Sequence, residues 1–145
     1  MNMPGTEAPV ILQRVLPVTP DQAFDAWLEP SELREWMGPL TDLEVDARVG
    51  GRFRIVMSRD EADGGPIEHT GEYRVLDRPT RLVFTWISQY TDGESVVTVD
   101  LSPDPMGTRL VLTHEGLPPE TRDGHAEGWG QFIEQYVAIA ERQKA

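Results

Sequence analysis

Residues 121–143 read TRDGHAEGWGQFIEQYVAIAERQ, and this stretch decides how the rest of the chain folds. Its apolar residues recur at the spacing of one helical face. They are Trp129, Phe132, Ile133, Tyr136, Val137 and Ala140. No proline interrupts the sequence after Pro119. About 20 helical residues at about 1.5 Å each form a rod of about 30 Å, the width of a small domain. The pattern predicts one long amphipathic helix.

Two short helices are predicted near the start of the chain, after a first strand at residues 10–16. In Thr19–Gln22, threonine suits the N-cap, proline suits the first helical position, and glutamine completes a capping box. Pro30 ends this helix and can start a second one, residues 31–37, which stops at Gly38-Pro39.

Between the short helices and the long helix, the apolar residues alternate with polar ones, which predicts six further strands. The predicted strands contain Leu43 to Val45, Phe53 to Met57, His69 to Leu76, Leu82 to Trp86, Val97 to Leu101 and Leu110 to His114. Short turns separate them, which favours antiparallel neighbours. A single helix can cover about seven strands only if the sheet curls around it. The predicted fold class is α+β, with a curled antiparallel sheet gripping one C-terminal helix.

Length and composition limit the organisation of the chain. A chain of 145 residues is expected to form a single domain, and we place it at residues 10–145, after a mobile N-terminal tail at residues 1–9. A hydrophobic content of 39% suffices for a core. The absence of cysteine excludes disulfides, thiolate nucleophiles and thiolate metal sites.

Charge and hydropathy limit the partners. The formal net charge is −12, so nucleic acids and anionic membrane surfaces are disfavoured as partners. No apolar stretch reaches the length of a membrane span, and residues 1–9 lack the pattern of a secretory signal. We therefore take the cytoplasm as the default location. The sequence leaves the oligomeric state open between a monomer and a homodimer.

Six short phrases of sequence follow one another along the chain: LREWMGP (33–39), VGGRFR (49–54), GEY (71–73), PTRLVFTW (79–86), GTRLVLTHEGL (107–117) and EGW (127–129). The order of elements resembles the helix-grip fold of the SRPBCC superfamily, which includes birch-pollen-allergen-like and START-like proteins. The phrases resemble the family named for the activator of the heat-shock protein 90 ATPase, in its stand-alone bacterial form. The resemblance implies this fold, and the family name suggests a chaperone partner and a link to the stress response, but it carries no shared catalytic signature. Met37 departs from it, because the family often has a second aromatic residue there.

His114 is the most informative polar residue. It alternates in phase with Leu110 and Leu112, so we expect it to point to the concave face of the sheet. Two interpretations stay open. It is either a core histidine bonded to a backbone carbonyl, Tyr73 or Tyr136, or the polar anchor of an apolar ligand pocket.

The same alternation predicts the wall of such a pocket, with His69 and Tyr73 as further polar groups and the residues of the second short helix at the entrance. The candidate ligand-binding residues are Trp36, Met37, Phe53, Met57, His69, Tyr73, Phe84, Trp86, Val99, Leu112, His114, Trp129, Phe132, Ile133 and Tyr136. The three histidines lack metal-ligand spacing, and the sequence has no phosphate-binding loop or dinucleotide fingerprint, so we expect neither a metal nor a cofactor.

Three functions are compatible with these residues. The favoured one is non-catalytic binding of an apolar or aromatic small molecule. The second is an interaction module that docks on a chaperone or another protein. The third is a cyclase or hydrolase acting on polyketide-like compounds, in which His114 and a tyrosine or carboxylate would form an acid–base pair. No carboxylate in phase with His114 is visible, so an anchor or core role is favoured over a base.

Overall fold

The structure, a computed structural model, describes residues 8–144. Residues 1–7 of the expected N-terminal tail lie outside the described residues. The helices are α1 (Pro20–Asp25), α2 (Pro30–Trp36) and α3 (Pro119–Lys144). The strands are β1 (Val10–Leu16), β2 (Leu40–Val45), β3 (Arg52–Met57), β4 (Ile67–Asp77), β5 (Arg81–Trp86), β6 (Ser95–Asp104) and β7 (Gly107–Glu115). The predicted α+β helix-grip architecture is confirmed, and α3 begins two residues before the predicted start.

The sheet has the order β1-β7-β6-β5-β4-β3-β2, and every pair of neighbours is antiparallel. The first strand returns beside the last one, so β1 and β2 form the two edges. The register shifts between Leu40 and Asp42 and again between Tyr73 and Val75. Such irregularities bend strands and increase twist, which allows the sheet to curl around α3.

Local sequence signals explain where the short helices begin. The side chain of Thr19 accepts a hydrogen bond from the backbone of Gln22, whose side chain accepts one from the backbone of Thr19. This is the predicted capping box. Helix α2 starts at Pro30 and is held to α1 by Trp36, whose indole N–H donates to the carbonyl of Ala26 at 2.9 Å.

The core lies between the concave face of the sheet and the three helices. The apolar face of α3 is buried as predicted, except that Phe132 is only half-buried. On the opposite face of the helix, Glu134 accepts two hydrogen bonds from Arg14 at 2.7 and 2.9 Å, which fastens edge strand β1 to α3. None of the helices within residues 8–144 combines the length and hydropathy needed to cross a membrane.

Candidate functional site

A groove of about 400 Å³ opens between the first half of α3 and the ends of β3, β4 and β5. Its walls come from these strands, from the loop after β5 and from one face of the helix. We call this space the groove, and its lining residues are Met57, Ile67, His69, Trp86, Tyr90, Glu120, Thr121, Gly124, His125, Gly128, Trp129 and Phe132.

The groove exists because α3 presents glycine where a side chain would otherwise fill the space. Thr121, Gly124, His125 and Gly128 occupy positions i, i+3, i+4 and i+7 of the helix, so they lie on one face. A Cβ atom built on Gly124 or Gly128 would meet no atom within 4 Å. The apolar face that packs the core further along α3 therefore leaves a space here.

Two loops border the opening of the groove. Arg59, just after β3, donates from Nε to the carbonyl of Gly65 at 2.9 Å and from Nη1 to the hydroxyl of Tyr90 at 2.9 Å. These bonds join the loop at residues 58–66 to the loop at residues 87–94. They hold the Tyr90 ring at the border of the groove.

His114 lies beneath the groove and is fully buried. Trp129 donates its indole N–H to Nδ1 of His114 at 3.0 Å. Because Nδ1 accepts, the proton of the neutral ring is on Nε2, which donates to Oγ of Ser95 at 2.7 Å. Ser95 in turn donates to the carbonyl of Trp86 at 2.5 Å. Both ring nitrogens are thus satisfied, as in the core interpretation, although the partners are neither a backbone carbonyl nor the tyrosines named in it.

His69 lines the groove and is 7% exposed. Its ring stacks on Trp86 with 4.6 Å between centroids. Its Nδ1 is buried and has no hydrogen-bond partner within residues 8–144. Burial lowers the pKa of His69 to about 4, and the nearby carbonyls of Ile55 and Ile67 oppose that shift only in part. His69 is therefore an uncharged, incompletely satisfied polar group in an otherwise aromatic wall.

Comparison with known proteins agrees with the sequence phrases. The family model described as Activator of Hsp90 ATPase homolog 1-like protein matches residues 17–141. The chain belongs to this family. The predicted resemblance is thereby confirmed. No curated protein matches the chain.

Solved structures of AHSA1-like fold extend the agreement over nearly the whole chain. A crystal structure of a Chromobacterium violaceum protein is 29% identical with a TM-score of 0.83, covering 93% of this chain and 99% of the other. A Nitrosomonas europaea protein is 27% identical with a TM-score of 0.79, covering 96% and 97%. The AHSA1-like protein of Aeromonas hydrophila, 21% identical with a TM-score of 0.77 and 94% of each chain covered, is similar in fold alone.

Five of the fifteen candidate residues lie together on the groove of this AHSA1-like chain. They are Met57, His69, Trp86, Trp129 and Phe132. The other ten do not line the groove, and they are Trp36, Met37, Phe53, Tyr73, Phe84, Val99, Leu112, His114, Ile133 and Tyr136. These ten are buried in the core.

Dense aromatic packing explains why those ten residues line no large space. Trp27, which the sequence places on the apolar face of the first short helix and not among the candidate site residues, lies 4.7 Å from Trp36 and 6.0 Å from Phe84, between ring centroids. Phe53 lies 5.4 Å from Tyr73. Two cavities of about 10 Å³ are found among these side chains. Each is at the limit for a single water molecule.

Seven lining residues were not predicted: Ile67, Tyr90, Glu120, Thr121, Gly124, His125 and Gly128. The five of these residues that belong to α3 share a pattern that is visible in the sequence. The face that carries Trp129 and Phe132 continues towards the N-terminus of α3, but with small or polar residues. An apolar face that changes to glycine within one helix indicates a space opposite it.

Stability should decrease as the pH falls below about 6.5, the ordinary histidine pKa in an unfolded chain. Burial lowers the pKa of His69 to about 4, and burial with the nearby His125 lowers the pKa of His114 to about 3. Between pH 6.5 and these lower values the unfolded chain binds more protons than the folded chain, so each histidine contributes a slope that approaches about 1.4 kcal/mol per pH unit. Urea unfolding at pH 6.5, 5.75 and 5 measures how the free energy of unfolding changes with pH. His69→Phe should halve the slope, and an unchanged free energy over this range would contradict the prediction.

Proposed function

We propose that this AHSA1-like protein binds an apolar or aromatic small molecule in the groove. The observation that carries the proposal is a space of about 400 Å³ between a glycine-containing helix face and an aromatic wall. Ligand sites in proteins have volumes of about 300–1,000 Å³ and are mostly apolar with a few polar groups. The groove has this composition, since Trp86, Trp129 and Phe132 meet the imidazoles of His69 and His125 there.

The aromatic wall supplies the affinity in this proposal. A ligand of two aromatic rings buries about 200 Å² of apolar surface, as a large aromatic side chain does. At about 25 cal/mol per Å², this burial contributes about 5 kcal/mol before the apolar surface of the wall is added. Dissociation constants between micromolar and submillimolar values correspond to such energies.

N-Phenyl-1-naphthylamine, an uncharged dye that fluoresces in apolar surroundings, tests the proposal. We expect saturable binding of one dye per chain, with energy transfer or quenching of the fluorescence of Trp86 and Trp129, which lie on the wall. Met106→Ser is the control, because Met106 is 75% exposed and lies outside the groove, so its loss should leave binding unchanged. A linear, non-saturating signal would overturn the proposal.

The family description favours a second candidate, docking on a chaperone of the Hsp90 type. Under this candidate the groove is incidental, and the convex face of the sheet would form the contact. That face carries charged pairs such as Arg54 with Glu68 and Arg74 with Glu94. Binding to a purified chaperone that is unaffected when the groove is filled would support docking over ligand binding.

His114 gives no support to the enzyme alternative. Its two ring nitrogens are bonded to Trp129 and Ser95, so neither is free to take a proton from a substrate. We therefore propose binding rather than catalysis. Under both candidates we expect a cytoplasmic monomer or homodimer.

A further inference from the structure

His125 presents a hydrogen-bond acceptor at the groove. Its ring is half-buried and lines the groove on α3. Nδ1 lies 2.8 Å from the carbonyl oxygen of Thr121, one helical turn earlier. A carbonyl oxygen only accepts, so Nδ1 carries the proton and donates. In the neutral ring Nε2 then has a free lone pair, and it makes no hydrogen bond to any residue in the range 8–144.

His69 is less suited to this role than His125. Its ring is almost completely buried against Trp86, and its unpartnered Nδ1 has no accessible surface on the groove. A ligand atom could reach this nitrogen only after the ring turns. The His125 ring needs no such rearrangement, because its Nδ1 is already bonded to the helix backbone and its Nε2 remains available to a ligand.

The charges around the groove disfavour an anion. Glu120 is the single carboxylate among the lining residues, and no lysine or arginine lines the groove. Glu120 lies in the first turn of α3, where it offsets the positive end of the helix dipole. The bordering loops add five carboxylates, on Asp60, Glu61, Asp63, Asp92 and Glu94. The guanidinium of Arg59 is bonded to Gly65 and Tyr90.

We infer that the groove selects an uncharged aromatic ligand with a hydroxyl group, which donates its proton to Nε2 of His125, and that Glu120 repels anionic relatives of that ligand. This inference rests on the proposed binding function and specifies the chemical class. The aromatic rings of such a ligand pack on Trp86, Trp129 and Phe132. Its hydroxyl replaces the water that Nε2 of His125 loses when the ligand enters the groove. His125 and Glu120 are thus specificity-determining residues.

Three naphthalenes separate these features, in competition with N-phenyl-1-naphthylamine. 1-Naphthol carries the donor, 1-methoxynaphthalene keeps the oxygen but lacks the donor, and 1-naphthoate carries a negative charge. We expect 1-naphthol to bind about tenfold more tightly than 1-methoxynaphthalene, the effect of one hydrogen bond. We expect 1-naphthoate to bind most weakly.

Substitutions show which residue is responsible for the preference for a hydroxyl and which for the discrimination against a negative charge. His125→Phe keeps an aromatic ring without an acceptor, so the ratio between 1-naphthol and 1-methoxynaphthalene should fall to about one. His69→Phe removes the other imidazole of the groove, so it should change the affinity for both compounds alike and keep the ratio. Glu120→Gln should strengthen 1-naphthoate binding about threefold, the scale of an exposed charge interaction. Glu127 is an exposed residue of the same helix outside the groove, so Glu127→Gln should leave the affinity for 1-naphthoate unchanged.

A spectroscopic measurement on the unaltered protein covers the case in which His125→Phe does not fold. The ¹⁵N resonance of the unprotonated Nε2 of His125 should shift with 1-naphthol and stay in place with 1-methoxynaphthalene. Equal binding of these two compounds to the unaltered protein, or a ratio that His69→Phe removes, would overturn the inference and leave the proposed function standing. Absence of saturable binding by the dye would overturn both.

Discussion

Trp129→Ala should lower the free energy of unfolding by about 3–5 kcal/mol, the range for removing a buried tryptophan. The indole is 3% exposed and lies 5.0 Å from Trp86 and 5.9 Å from Trp27, between ring centroids. Its removal also leaves Nδ1 of His114 without the donor that satisfies it. Urea unfolding followed by far-UV circular dichroism measures the loss.

Trp129→Phe serves as the control for this substitution. It keeps most of the aromatic contacts and removes the indole N–H, so it should cost only about 1–3 kcal/mol, the penalty for an unpaired buried acceptor plus some lost packing. A loss under about 1 kcal/mol for Trp129→Ala would show that the helix does not rely on this contact. The proposed packing of α3 on the sheet would then be wrong.

Gly128→Phe should abolish dye binding, with an affinity loss of about 100-fold or more, while the protein stays folded. Gly128 lines the groove, and a Cβ atom there would meet no atom within 4 Å. The phenyl ring introduced at residue 128 can therefore occupy the part of the groove that the ligand would fill. Because glycine is a poor helix residue, the substitution also favours the helix by a few tenths of a kcal/mol. Fluorescence titration and thermal unfolding together measure both effects.

Gly130→Phe is the matched control on the same helix. A Cβ atom on Gly130 would also meet no atom within 4 Å, but this residue does not line the groove. We expect this variant to bind the dye with unchanged affinity. Undiminished binding by Gly128→Phe would place the ligand site elsewhere and exclude the groove as its location.

Local sequence patterns predicted the fold well because they depend on neighbours along the chain. The capping box at Thr19 and Gln22 and the buried face of α3 are set by spacing within one helix. Strand alternation likewise placed His114 on the concave face. Its partners could not be read in this way, because Ser95 belongs to a neighbouring strand and Trp129 to a helix.

The position of the groove depends on packing between distant segments. Alternation places Phe53, Tyr73 and Phe84 on the inner face, but it does not say whether anything fills the space in front of them. Trp27 does so, between centroids 6.0 Å from Phe84. At the other end of the sheet, Gly124 and Gly128 leave the space unfilled. The sequence signal for this space is the change from apolar residues to glycine on one face of α3, which a pattern of buried apolar residues does not include.

The glycines of α3 also give the two halves of this helix different dynamics. Gly124, Gly128 and Gly130 all lie in its first half, and each costs up to about 1 kcal/mol relative to alanine in a helix. Backbone amides of residues 120–130 should therefore exchange with deuterium through local opening, while those beside Ile133 and Tyr136 exchange only on deeper unfolding. Trp86 and Trp129 on the wall of the groove are each 3% exposed, so this opening increases the exposure of their rings. A bound molecule would suppress the opening, and amide protection at residues 120–130 becomes a direct measure of occupancy.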